Sequence, residues 1–241
     1  MSTSERKNKF VLFAQGRSGS ALLRDLLNAH PDVYCDGEIF VLDKNHIKAQ
    51  QMSKLIRKYP VEYVGTQSQF TRKSFYGFTF MDYHLPDPEQ LIKNLYISDW
   101  KIIYVSRNDI LNQCFSNLVA EKSNFYHRKS DDPSPNKRFH ISKERLIDEL
   151  NWWKQRREKE ESILKGINSH RIIYEEHLQD QNKWAQTTQN LFEYIGAKPS
   201  PVTSNLKKTY NKQYSEIIEN YNELIEMLKT SSFAHFLKYH F

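Results

Sequence analysis

FVLFAQGRSGSALLRDLLNAHP, running from Phe10 to Pro31, is the segment on which the architecture turns. Phe10 to Ala14 is an unbroken apolar run, short enough for a strand buried on both faces. Past the small residues of the loop, Leu22, Leu23, Leu26 and Leu27 recur at the spacing of one helical face. Pro31 ends that helix, because proline drives the residue before it out of the helical region. Strand, tight loop and helix in this order open an α/β unit.

Outward from this segment the same alternation continues. Strand-like runs occupy Tyr76 to Tyr83, Lys101 to Ser106 and Arg171 to Tyr174. Helical patterns occupy Lys48 to Lys58, Asp87 to Leu95, Ile110 to Glu121, Lys143 to Lys165, Trp184 to Ile195 and Ser215 to Lys229. Strands that alternate with helices predict an α/β fold of three layers, P-loop-like, with a central parallel sheet flanked by helices. The chain of 241 residues is read as a single domain over 1–241, with 1–9 as a tail. His127 to His140, HRKSDDPSPNKRFH, is charged and proline-bearing and reads as a surface loop.

Composition narrows the partners. A formal charge of +6 favours an anionic ligand, and a nucleotide, a nucleic acid or a membrane surface would each satisfy it. Lys and Arg are interspersed with acids and form no long basic run, which argues against a nucleic-acid arm. No apolar run approaches the ~20 residues of a membrane-spanning helix. The polar start MSTSERKNK carries no secretion signal, so the cytoplasm is the expected location. The two cysteines, Cys35 and Cys114, offer neither a disulfide framework nor a cysteine metal site. No HxxxH or CxxC spacing occurs, and no metal is expected.

The loop between the first strand and helix admits two readings. Gly16, Arg17, Ser18, Gly19 and Ser20 can form an anion cradle, with backbone N–H groups converging at the positive end of the helix dipole. Arg17 adds a planar fork of donors suited to phosphate or sulfate. The other reading is an ordinary strand-to-helix turn, with glycine for positive φ and Ser20 as N-cap. The nucleotide-hydrolase pattern GxxxxGK[ST] is absent, because Gly19 is followed by Ser20 and Ala21. The lysine cradle and magnesium-binding hydroxyl of such hydrolases are therefore missing.

Several blocks together resemble the sulfotransferase superfamily, and within it the bacterial carbohydrate branch related to nodulation-factor and trehalose sulfotransferases. Phe10 to Phe40 looks like the 5′-phosphosulfate loop followed by a helix and a Gly-Glu element. KIIYVSRNDILNQCFSNLVA, Lys101 to Ala120, is similar to the 3′-phosphate strand and helix. RIIYEEHLQD, Arg171 to Asp180, looks like the late core strand with its Tyr-Glu pair. NLKKTYNKQYSEIIENYNEL, Asn205 to Leu224, resembles a lysine-bearing segment over the nucleotide. Ala21 stands where that family often has Thr, and Thr79 where it has Lys.

The resemblance implies 3′-phosphoadenosine-5′-phosphosulfate (PAPS) as sulfuryl donor and a small-molecule or glycan acceptor, in a reaction that needs no metal. Gly16, Arg17, Ser18, Gly19, Ser20 and Ala21 would surround the 5′-phosphosulfate. Arg107 and Ser116 would hold the 3′-phosphate, and Lys207 and Lys208 would neutralise the nucleotide. In-line sulfuryl transfer is chiefly a matter of positioning and charge stabilisation, so Arg17 would both bind and catalyse. Glu38 resembles the acceptor-activating glutamate, with His84 as a second candidate base. Two other readings stand beside this one: a P-loop nucleotide kinase or hydrolase, and a catalytically decayed nucleotide-binding module. Trp152 and Trp153 divide into one core residue and one available for stacking.

Overall fold

The computed structural model describes residues 8–41, 54–124, 128–129, 137–207 and 213–239. These divide into two compact units, one within Met1–Ser106 and Glu160–Ser204, the other within Arg107–Lys159 and Asn205–Phe241.

The first unit holds a five-stranded sheet. In chain order its elements are β1 (Asn8–Ala14), α1 (Ser20–Asn28), β2 (Val33–Asp36), α2 (Pro60–Gln67), β3 (Phe75–Phe80), α3 (Pro88–Ile97) and β4 (Lys101–Ser106). The second unit adds α4 (Ile110–Ser123) and β5 (Arg128–Lys129), and α5 (Lys143–Ile163) carries the chain back to β6 (Ser169–Ile173) and α6 (Trp184–Ile195) of the first. The second unit is completed by β7 (Leu206–Lys207), α7 (Tyr214–Ile217) and α8 (Tyr221–Lys229).

All pairings in the large sheet are parallel, in the order β2-β3-β1-β4-β6. The central strand β1 is sealed on both faces, as its apolar run requires. Phe10, Leu12 and Ala14 pack with Leu23, Leu26 and Leu27 of α1 and with Leu191 and Phe192 of α6. Val11 and Phe13 face the opposite layer, with Val64 of α2 and Leu91, Ile92 and Leu95 of α3. A side chain such as Phe13, fully buried here, contributes about 1.5–3 kcal/mol by leaving water. Gly77 is fixed by packing, since a Cβ there would lie 2.1 Å from the Phe10 ring. The expected three-layer arrangement is thus present in this unit.

The boundaries differ from the sequence reading in instructive places. The short strand β2 and the helix α2 are absent from the pattern-based assignment. VYCD is too brief to show a period, and Pro60 occupies the first turn of α2, where its missing N–H costs nothing. The helix read over Lys48 to Lys58 is described only from 54, and 54–58 is helical. β3 ends at Phe80 because the chain folds back, with the His84 N–H donating to the Met81 carbonyl at 3.0 Å.

In the second unit the last predicted helix is cut into α7 and α8. Phe139 inserts there as a parallel bridge partner of Ile218, accepting from the Glu219 N–H at 2.9 Å and donating to the Ile217 carbonyl at 2.8 Å. The Asn220 amide then clamps both backbone groups of Ile141, at 3.2 and 2.7 Å. That unit's core joins Phe115 and Leu118 of α4, Leu150 and Trp153 of α5, and Leu224 and Leu228 of α8. Of the surface loop read over His127 to His140, residues 127 and 130–136 lie outside the described residues.

Candidate functional site

In a parallel sheet every strand ends on the same edge, and ligands collect where neighbouring connections run in opposite directions. From β1 the chain proceeds toward β2 on one side of the sheet, and from β4 toward β6 on the other. The loop Gln15 to Ser20 leaves β1 at this switch point. The turns carrying Glu38, after β2, and His84, after β3, lie on that same edge.

The phosphate-type loop has the backbone of an anion site. Arg17 holds φ 60° and Gly19 φ 87°, both left-handed, and Ser20 begins α1 directly after Gly19. A left-handed residue followed by a helical one turns successive N–H groups toward a common point, which makes an anion-binding nest. The N-cap, Gly19, has no side chain with which to cap this helix, and no acid occupies its first turn. The first-turn N–H groups and the positive end of the dipole favour negative charge at this end of the helix. The N-cap is Gly19 and not Ser20, which corrects the simple-turn reading: Ser20 lies inside the helix and is itself buried.

Ser18 takes a particular role. Its side chain is fully buried, and its hydroxyl donates to the Gln15 carbonyl at 2.6 Å. The loop is closed by this bond, and any service Ser18 gives an anion comes from its backbone. Gly19 is pressed against a five-residue π turn, Tyr174–Leu178. A Cβ at Gly19 would come within 2.7 Å of the Tyr174 ring and 3.2 Å of Leu178. Short π segments favour functional sites because they re-aim side chains. Here the wide turn brings two residues four apart onto one loop. Tyr174, which the sequence marks only as half of a Tyr-Glu pair, is the wall behind Gly19.

The two candidate bases form one assembly. His84 Nε2 lies 3.3 Å from Glu38 Oε2. The His84 side chain is 2% exposed and that of Glu38 41%. The Met81 N–H donates to His84 Nδ1 at 3.2 Å, so Nδ1 carries no proton and the neutral ring bears its hydrogen on Nε2, facing the carboxylate. Among the described residues Nε2 makes no hydrogen bond. Catalytic hydrogen bonds are often loose before a substrate binds. Glu38 is held by its own turn, in which the Gly37 carbonyl accepts from the N–H groups of Thr79 and Ile39, at 3.1 and 3.0 Å. Thr79, buried, has its hydroxyl 3.4 Å from the Asp36 carbonyl and ties the end of β2 to β3.

Burial first, and then the Asp36 charge, raises the Tyr76 hydroxyl far above its usual range. Cys35 is raised likewise by burial, against a lowering by the Arg24 guanidinium.

Within the second unit, Arg107 and Ser116 are both half-buried, Ser116 within α4. Arg157 donates to the Arg107 carbonyl at 3.1 Å and to Asn108 Oδ1 at 3.2 Å, fixing the backbone that follows β4. Asp109 caps α4 by accepting from the Asn112 N–H at 2.9 Å. Trp153 is the core tryptophan and donates to Glu149 at 2.7 Å, while the Trp152 ring is covered by Arg156 at 5.0 Å. Lys207 belongs to the short β7, and Lys208 lies outside the described residues. Among the described residues no three His, Cys, Asp or Glu side chains gather as a metal site. No described helix is long and apolar enough to cross a membrane.

Comparison with known proteins comes from structure alone. No protein-family profile matches the chain, and no curated protein matches it. The fold is similar to a sulfotransferase from Alicyclobacillus acidocaldarius, with a TM-score of 0.54 and 15% identity over 96% of this chain and 93% of that one. It is similar also to the sulfotransferase domain of the Synechococcus PCC 7002 olefin synthase, with a TM-score of 0.52 and 14% identity over 92% and 85%. A third neighbour is the mouse sulfotransferase SULT7A1 complexed with PAP, with a TM-score of 0.51 and 14% identity over 98% and 89%.

Proposed function

We propose that this chain is a sulfotransferase that moves a sulfuryl group from PAPS to a hydroxyl of a carbohydrate or glycolipid acceptor. The observation that carries the reading is the uncapped nest at Gly19 and Ser20 with Arg17 beside it, on the sheet edge that also bears the Glu38–His84 pair. A neighbour in fold is complexed with PAP, the desulfated product of such a donor. The sequence resemblance supports a sugar-bearing acceptor.

In this reading the backbone N–H groups of 16–21 and the Arg17 guanidinium surround the 5′-phosphosulfate. The acceptor oxygen forms a bond to sulfur as the bond from sulfur to the bridging 5′-phosphate oxygen breaks. The leaving phosphate gains charge, and Arg17 with the helix dipole stabilises it. The acceptor's proton passes to Glu38, whose carboxylate is the more accessible of the pair. His84 is a positioning residue: its Nε2 lies 3.3 Å from the carboxylate, close enough to donate to it once the acceptor is bound, and its Nδ1 is engaged by the backbone. Arg107, Ser116, Lys207 and Lys208 are proposed for the 3′-phosphate side of the donor.

A transfer assay with 35S-labelled donor and a panel of glycans and glycolipids tests this. Labelled product is expected with the wild-type protein and not with Glu38→Gln, which still binds adenosine-3′,5′-bisphosphate. Donor binding without transfer to any hydroxyl would favour the decayed-module reading.

A further inference from the structure

We infer that Glu160, near the C-terminal end of α5, is a positioning residue for the anion loop and acts on it through Gln15. Glu160 is 1% exposed, Gln15 2% and Tyr104 1%. Glu160 Oε2 accepts from Gln15 Nε2 at 2.6 Å and from the Tyr104 hydroxyl at 2.9 Å. A carboxylate removed from water in this way is retained only at a cost, and it needs such donors to persist.

Gln15 is the first residue of the loop, and it is tied in three directions. Its N–H donates to the Val105 carbonyl at 3.2 Å, extending the β1–β4 ladder by one residue. Its carbonyl accepts from Ser18 Oγ at 2.6 Å, and its side chain is held by Glu160. Because a carboxylate only accepts, it fixes which end of the Gln15 amide faces inward. Two residues later Arg17 holds φ 60°, a conformation that persists in a side-chain-bearing residue only where its flanks are over-determined. The triad supplies that restraint on one flank and the packed Gly19 supplies it on the other. Nothing in the sequence marks Glu160, which sits in EKEES and reads as part of a solvated helix face.

The inference rests on the donor-site reading only for its ligand, and a ligand-free readout separates the two. The variants are Gln15→Glu, which sets two carboxylates against each other, the swap Gln15→Glu/Glu160→Gln, which restores one donor and one acceptor, and the near-isosteric Gln15→Met. The probes are adenosine-3′,5′-bisphosphate affinity by calorimetry and amide exchange of residues 16–20 in the free protein. Gln15→Glu and Gln15→Met are expected to weaken binding about tenfold, the loss of one charge-assisted hydrogen bond. Their loop amides should exchange about ten times faster, and the swap should recover both to within about threefold. Unchanged exchange of 16–20 in a folded Gln15→Met protein would overturn the inference, as would a folded swap no better than Gln15→Glu. Wild-type protein that ignores the bisphosphate would sink the donor reading alone, since the exchange comparison still decides the role of Glu160.

Discussion

Consider Gly19→Ala, a change of one methyl at the N-cap of α1. Two costs are expected. A left-handed φ of 87° costs an alanine about 1–2 kcal/mol. The new Cβ would also sit 2.7 Å from Tyr174 Cδ2 and 3.2 Å from Leu178 Cδ1, and overpacking of this kind costs about 1–3 kcal/mol. Together they give about 2–5 kcal/mol. Gly166→Ala is an internal control, because Gly166 has φ 79° and nothing lies within 4 Å of the place its methyl would take. It should show the backbone cost alone. Urea denaturation of the two variants should therefore differ by about 1–3 kcal/mol at an unchanged m-value. Adding Tyr174→Ala to Gly19→Ala should return most of that difference as a coupling energy. Equal losses at Gly19 and Gly166 would refute the claim that the π turn walls the loop.

Further outcomes follow from the same geometry. His84→Phe should lower kcat about 10–100-fold by loosening Glu38, with affinity for adenosine-3′,5′-bisphosphate unchanged; a parallel loss of affinity would contradict the division of roles. Burial raises both Cys35 and Cys114 above the ordinary thiol range, so a thiol reagent should label neither in the native protein and both after unfolding. His170 is lowered below its usual 6.5, by burial first and then by His177. The unfolded chain then binds that proton more readily, so its contribution to stability is whole above the unfolded value and is lost as pH falls from about 6.5 toward the lowered one. His170→Gln should flatten the stability profile over that window, and an unaltered slope would show that the ring does not drive it.

Some of this is legible in the residues and some is not. The strand β4 and the helix α6 coincide with their sequence assignments because each has a sustained apolar period between clear breakers. β2 and α2 are hidden, one by its brevity and the other by a proline in a position where proline is favourable. The division of the last helix depends on Phe139, far from the break along the chain, and no local signal carries it. At the site, the glycines and Arg17 advertise themselves, and Glu38 and His84 can each be chosen on chemistry. Their proximity depends on β2 lying beside β3, and β2 leaves no periodic trace in the sequence. Tyr104 and Glu160 are invisible in sequence: one is an aromatic in an apolar strand, the other one acid among many.

The central claim is that the loop from Gln15 to Ser20, with Arg17, takes the sulfuryl donor. Titration calorimetry with adenosine-3′,5′-bisphosphate, and in parallel with magnesium-ATP, tests it most directly. Saturable binding of the bisphosphate without magnesium is predicted, weakened at least tenfold in Arg17→Ala, with magnesium-ATP bound far more weakly. Preferential binding of magnesium-ATP, or bisphosphate binding indifferent to Arg17→Ala, would contradict the account.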